Sequence, residues 1–401
     1  MSKLLAQHGP AKGQKITDSL NMNNLSGAIF SQNDEIMESI DNYINMTDNL
    51  GNSNSFLDPQ FYYSTYDQTI LKKLSDISVF PSNIVRRDWR KKAPEILDYL
   101  NYHAKSTTLI SDTLITPGFH ITNIDWHFDY SIEMYNYCIE NFEFQNYALS
   151  LMVQSSFFNN KANVDEMIEE LEDMSNKKDY IYFTLCHDGN IDNNYEEMDS
   201  NCLGNILYLI YQLQESGFKF IIGYSFMNSI LFAMLGCDFI ASGWFNTLRK
   251  FQKNRFELTD SFGRRKKRYT SIPLLTYIML DDYKIMLDTG KITEAEILSG
   301  TKCDSELLTD DDVLSFVDLE HQYWESLNQS FGFFESSDDI TGRIDVMRAM
   351  INEALAKYKK VINRLDSMGE REASNRIKLT SKHLITWLAA IDIFKENSMI
   401  L

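Results

Sequence analysis

The chain is poor in residues that punctuate or staple a fold. Six prolines and 17 glycines in 401 residues leave room for long, uninterrupted helices. Five cysteines (Cys138, Cys186, Cys202, Cys237, Cys303) are scattered, odd in number and never spaced C-x-x-C. This argues against a disulfide framework or a structural zinc site and predicts buried thiols. The seven histidines form no H-E-x-x-H pattern, so nothing in the sequence calls for a metal or names a cofactor. No apolar run approaches the roughly 18 residues that cross a bilayer. The opening MSKLLAQHGPAKGQK lacks the apolar centre and cleavage site of a signal peptide. The expectation is a soluble cytoplasmic protein without membrane contact. Walker A, G-x-G-x-x-G, G-x-S-x-G and kinase signatures are also missing, which disfavours those nucleotide and hydrolase classes.

A net charge of −19 works against general binding to polyanions. One segment runs the other way. Residues 246–268 hold nine Lys/Arg against Glu257 and Asp260, a local charge of +7.

Residues 1–55, rich in Asn, Ser and Asp, read as a polar and partly disordered arm with one short helix near 33–46. From Phe56 to about residue 290, β-rich runs alternate with segments of helical period. The runs are 56–64, 107–116, 146–156, 179–188, 218–225 and 237–244, with 78–85 and 268–280 as two further candidates. They are nearly continuous in Tyr, Phe, Ile, Leu and Val, the pattern of parallel strands covered on both faces. Strand–helix alternation over about this length predicts an α/β fold, a (β/α)8-like barrel, regular or irregular, at 56–290. Residues 291–401 form a C-terminal helical region. In it Thr293 and Glu296 suit a capping box, and two long helices meet near Met368 and Gly369. That hairpin either packs on the barrel or joins two copies of the chain.

Ligands of parallel α/β folds bind at the carboxyl ends of the strands. The candidate catalytic residues are therefore His187 and Asp188, leaving the run 179–188, with Asp58 and Asp112 as carboxylates inside apolar runs. A histidine there titrates near neutrality and suits acid–base work. His120, Asp125 and His127 form a weaker group, read first as packing residues.

IIGYSFMNS and FIASGWFNTLRKF each place a small Gly/Ser turn after a strand. These two units resemble the late units of phosphate-binding (β/α)8 barrels, in which backbone N–H groups hold a phosphate. The resemblance implies an anion site of Gly223, Ser225, Ser242 and Gly243, with Arg249 beside it. Trp244 stands where that group has a small residue and either walls the site or fills it.

Two functions follow as expectations. The first is a barrel enzyme acting on a phosphorylated or anionic small molecule or nucleotide. The second is a non-catalytic module binding nucleic acid or protein. It would use the basic segment 246–268, with Arg264, Arg265, Lys266, Lys267 and Arg268, and the C-terminal helices.

Overall fold

The computed structural model describes residues 2–10, 13–47, 54–65, 72–87, 89–174, 179–187, 198–252, 266–309, 314–337 and 339–400. Eight parallel strands stand side by side in chain order. They are β1 (Lys3–Gln7), β2 (Ala28–Ser31), β3 (Phe56–Asp58), β4 (Thr113–Ile115), β6 (Asn146–Gln154), β7 (Tyr180–Cys186), β8 (Lys219–Gly223) and β9 (Phe239–Ser242). A short β5 (His120–Ile121) continues past β4 and pairs with the far half of β6. The last strand pairs with the first, Ala6 opposite Ser242, so the sheet curls round on itself. Only the seam between β3 and β4 carries no ladder in the sheet order. The fold is a nearly closed (β/α)8-like barrel.

Helices fill the crossovers: α1 (Lys15–Asn21), α2 (Met37–Asn45), α3 (Trp89–Thr107), α4 (Trp126–Asn141), α5 (Lys161–Glu172), α6 (Ser200–Glu215) and α7 (Ser229–Leu235). After β9 the chain makes a long excursion before α8 (Phe316–Phe331) packs beside β1, α1 and α7 and completes the ring.

The first two strands correct one expectation. Residues 1–55 are not a polar arm outside the barrel, because β1 and β2 are its opening units, each followed by a helix. Their strands are only five and four residues long, KLLAQ and AIFS. Pairing with β9 and β3 stabilises what weak local propensity does not. Two other readings also change. The run 268–280 is an antiparallel hairpin, β10 (Arg268–Ser271) and β11 (Thr276–Met279), outside the barrel. Residues 78–85 form no strand. Thr293 and Glu296 do make the capping box, on a single 3-10 turn.

Every barrel strand contributes to one interior apolar cluster: Leu5, Ile29, Phe56, Ile115, Ala148, Tyr182, Ile221, Phe239 and Ala241. A second, larger core lies between sheet and helices. Side chains alternate along a strand, so two residues further on the interior positions are Gln7, Ser31, Asp58, Pro117, Ser150, Thr184, Gly223 and Gly243. Apart from Pro117 that layer is polar or glycine. It lies at the carboxyl ends of the strands.

The C-terminal hairpin, α9 (Ile340–Met368) and α10 (Arg371–Asn397), turns at Gly369, which takes the left-handed conformation (φ 80°). It packs on α6 of the same chain. A side chain at Gly204 of α6 would sit 2.7 Å from Ile393 Cγ2 and 2.9 Å from the Ala390 carbonyl. Gly204→Val should therefore cost about 1–3 kcal/mol through overpacking. An unchanged urea midpoint would show that the hairpin is not tightly seated.

Two buried histidines give the fold a pH dependence. His103 donates its Nε2–H to the Ile115 carbonyl at 2.8 Å, and His383 does the same to Leu275 at 2.8 Å. Burial lowers both imidazoles from 6.5 to about 4. The unfolded chain takes up these protons first. Stability is thus complete above pH 6.5 and falls towards pH 4, by about 1.4 kcal/mol per unit for each ring. Urea titrations between pH 7 and 4.5 should show this slope. Replacing either histidine with Gln should flatten it, and an unaltered slope would refute the assignment.

Candidate active site

Asp58 ends β3 and is completely buried. Its Oδ1 accepts the Gln60 backbone N–H at 2.9 Å, and its Oδ2 accepts the hydroxyls of Tyr62 at 3.1 Å and Tyr182 at 3.0 Å. A carboxylate in the barrel interior is tolerable only with such donors. Burial first, and then the charge of Asp58, pushes both phenols well above their ordinary range, so they stay protonated and donate.

Gln60 carries the network across to β2. Its Nε2 donates to Ser31 Oγ at 2.7 Å, its Oε1 accepts the Asn33 N–H at 2.8 Å, and Ser31 Oγ donates to Asp34 at 3.1 Å. Gln60 has φ 52°, a left-handed conformation unusual for a residue with a side chain. The bonds at both ends of its amide hold it there, and such strain collects at functional positions. Gly223 faces the same centre from β8. A Cβ there would meet Thr184 Oγ1 at 2.8 Å and the Tyr182 hydroxyl at 3.0 Å. Glycine leaves the room Tyr182 needs to reach Asp58.

The chain after β9 folds across this mouth. Phe251 forms a parallel bridge with Cys186 at the end of β7, and its carbonyl accepts the His187 N–H at 2.9 Å. Its fully buried ring lies 5.2 Å from Tyr62 and 5.3 Å from Tyr224, centroid to centroid. His187 is half-buried at the rim. Asp188 falls outside the described residues.

Asp112 does not join this site. It precedes β4, at the amino end of the strand and on the opposite side of the barrel, and is exposed. Its carbonyl accepts the N–H groups of Gln145 and Asn146, and its carboxylate accepts the Thr113 hydroxyl at 3.3 Å. The apolar run around it divides between the end of α3 and β4, and Asp112 occupies the turn between them. Asp125 caps α4 and accepts from both the backbone and the ring of His127, so that pair is tied up in a helix start.

Gly223, Ser225, Ser242, Gly243 and Arg249 do come together around the ends of β8 and β9. Their polar groups are largely engaged with neighbouring groups of the protein. Ser225 donates its N–H and its hydroxyl to the Ala241 carbonyl, and Ser242 shares a 2.6 Å hydrogen bond with Tyr323 of α8. Gly243 lets the short helix Asn246–Arg249 fold back, since a Cβ would lie 2.2 Å from Leu248 Cγ. Trp244 fills its space: it is 2% exposed, with its ring between His8 at 6.3 Å and Trp324 at 6.1 Å.

Arg249 is the unusual member. It is fully buried, donates from Nε to the Gly243 carbonyl (3.2 Å) and from Nη2 to the Trp244 carbonyl (3.1 Å), and lies 3.5 Å over the Tyr323 ring. Among the described residues no acidic side chain pairs with it, and its Nη1 has no hydrogen-bond partner. Of the basic tract, Arg264 and Arg265 lie outside the described residues. Lys266 is exposed, Lys267 half-buried and Arg268 buried at the start of β10.

All five cysteines are free thiols; four are buried, and burial pushes Cys138 up to about 12. No three His, Cys, Asp or Glu among the described residues cluster as a metal site. Sequence reasoning missed Gln7, Asn33, Tyr62 and Tyr182. Tyr182 sits inside an unbroken apolar run, and Gln7 and Asn33 lie in residues 1–55, whose composition reads as a polar arm.

Fold and site together define a (β/α)8-like barrel protein with a buried carboxylate–phenol centre at the carboxyl ends of its strands. Comparison with family models, with curated proteins and with solved structures finds no match to this chain.

Proposed function

We propose that the chain is an enzyme acting on a small anionic substrate, a sugar phosphate or a nucleotide, at the carboxyl ends of the barrel strands. Asp58, buried there beneath two phenol hydroxyls, is the observation that carries this reading. Each phenol oxygen keeps lone pairs while donating its hydrogen to Asp58. A substrate hydroxyl that gives its proton to Tyr62 or Tyr182 passes one on to Asp58 through the existing hydrogen bond. The pair thereby acts as a general base on an otherwise weak nucleophile. His187, at the rim, supplies a second acid–base group. Arg249 supports the anionic class, because a buried cation without an acidic partner among the described residues favours an anion nearby.

The nucleic-acid reading has less behind it, since Arg249 and Arg268 are buried and withdrawn from the surface. No helix among the described residues is long and apolar enough to cross a membrane. A cytoplasmic setting belongs to the proposal and agrees with the free thiols. The test is incubation of the full chain with a panel of sugar phosphates and mononucleotides, followed by phosphorus NMR and mass spectrometry. Conversion of a member supports the reading; a panel left wholly unconverted sinks it.

A further inference from the structure

Among the described residues, two amide side chains are buried with every polar atom unpaired: Gln7 and Asn33. Gln7 ends β1 and is 0% exposed; Asn33 follows β2 by two residues and is 1% exposed. Leu5 belongs to the interior cluster, so the alternation of β1 turns Gln7 into the barrel as well. Asn33 is tied to the same place through its backbone, whose N–H binds the Gln60 side chain, the residue that also binds Asp58.

Folding has thus buried two amides without giving their side chains a hydrogen-bond partner from the protein. Leu or Met would fill either position without that cost. Buried amides kept at the mouth of a barrel, beside a buried carboxylate, point to a ligand that completes them.

Resting on the catalytic reading above, we propose that Gln7 and Asn33 recognise the base of a nucleotide substrate. Each amide offers a donor and an acceptor side by side, the pattern that pairs two-fold with the edge of a heterocyclic base. The rings of Tyr62, Tyr63 and Phe251 pack against one another at the same end of the barrel, with the Tyr62 hydroxyl on Asp58. Neither amide reaches solvent, so a bound base is enclosed. A sugar phosphate has no such edge, and this separates the two substrate classes.

The experiment is calorimetric titration of the full-length chain with AMP, UMP and GMP, with ribose 5-phosphate as the control. A nucleotide should bind about tenfold or more tightly than ribose 5-phosphate. Gln7→Met and Asn33→Leu should each reduce its affinity towards that of ribose 5-phosphate while raising the melting temperature. Should Gln7→Met fail to fold, Gln7→Ala removes donor and acceptor without adding bulk and should also weaken nucleotide binding. Equal affinity for nucleotides and ribose 5-phosphate would overturn the proposal. So would unchanged nucleotide affinity in the variants, which would mean that water alone satisfies the amides. Binding is read without turnover, so the two readings fail separately. Nucleotide binding without conversion upholds base recognition and removes the catalytic role of Asp58.

Discussion

Replacing Asp58 with Asn should lower turnover by a factor of about 100 to 10,000, the usual worth of a positioned general base. The amide has nearly the shape of the carboxylate but cannot accept a proton from the Tyr182 or Tyr62 relay. Its Nδ2 also meets phenol hydrogens where Oδ2 accepted them at 3.0 and 3.1 Å, so both hydroxyls lose an acceptor. The same substitution should therefore cost stability, about 1.5–3 kcal/mol for each charge-assisted hydrogen bond lost. A double-mutant cycle separates the two effects. Tyr182→Phe should destabilise the natural chain and do much less in the Asp58→Asn background, a coupling of about 0.5–3 kcal/mol by urea denaturation. Additive effects would mean that the hydrogen bond contributes nothing. Full turnover in folded Asp58→Asn would end the catalytic assignment.

Phe251→Ala should be among the most destabilising single changes in the chain, at about 3–5 kcal/mol. The ring is fully buried, with Tyr62, Tyr63 and Tyr224 around it at centroid distances of 5.2, 6.1 and 5.3 Å. Its backbone bridge to Cys186 and the bond from His187 survive the substitution, so the loss belongs to packing. Because that ring closes the mouth over Tyr62 and Asp58, Phe251→Ala should also impair turnover even under conditions where the variant is folded. Phe251→Leu, which keeps an apolar side chain in the space, should cost distinctly less. A loss under 1 kcal/mol for Phe251→Ala would show that the segment lies loosely on the barrel.

Part of this was legible beforehand. The runs 146–156, 179–188, 218–225 and 237–244 are nearly continuous and apolar because their strands are buried on both faces, and that composition is the pattern of parallel strands. Asp58 stood out for a related reason, as a carboxylate in an apolar run that must find partners once buried. The same rule misled at Asp112, where the apolar run divides between a helix end and a strand start and leaves the carboxylate in the exposed turn.

Composition and periodicity by themselves determined the α/β class, the alternation of strand and helix from Phe56 onward, and the paired C-terminal helices, because these depend on contacts close in sequence. Only the tertiary structure decided that the barrel begins at Lys3. KLLAQ and AIFS are too short to declare themselves and become strands by pairing with β9 and β3. Only the tertiary structure brought Tyr182 to Asp58 across 124 residues. It also left Arg249 buried without an acidic partner among the described residues, and seated Trp244 between His8 and Trp324. Such placements rest on closure of the sheet, and no local pattern encodes which strand ends will face one another.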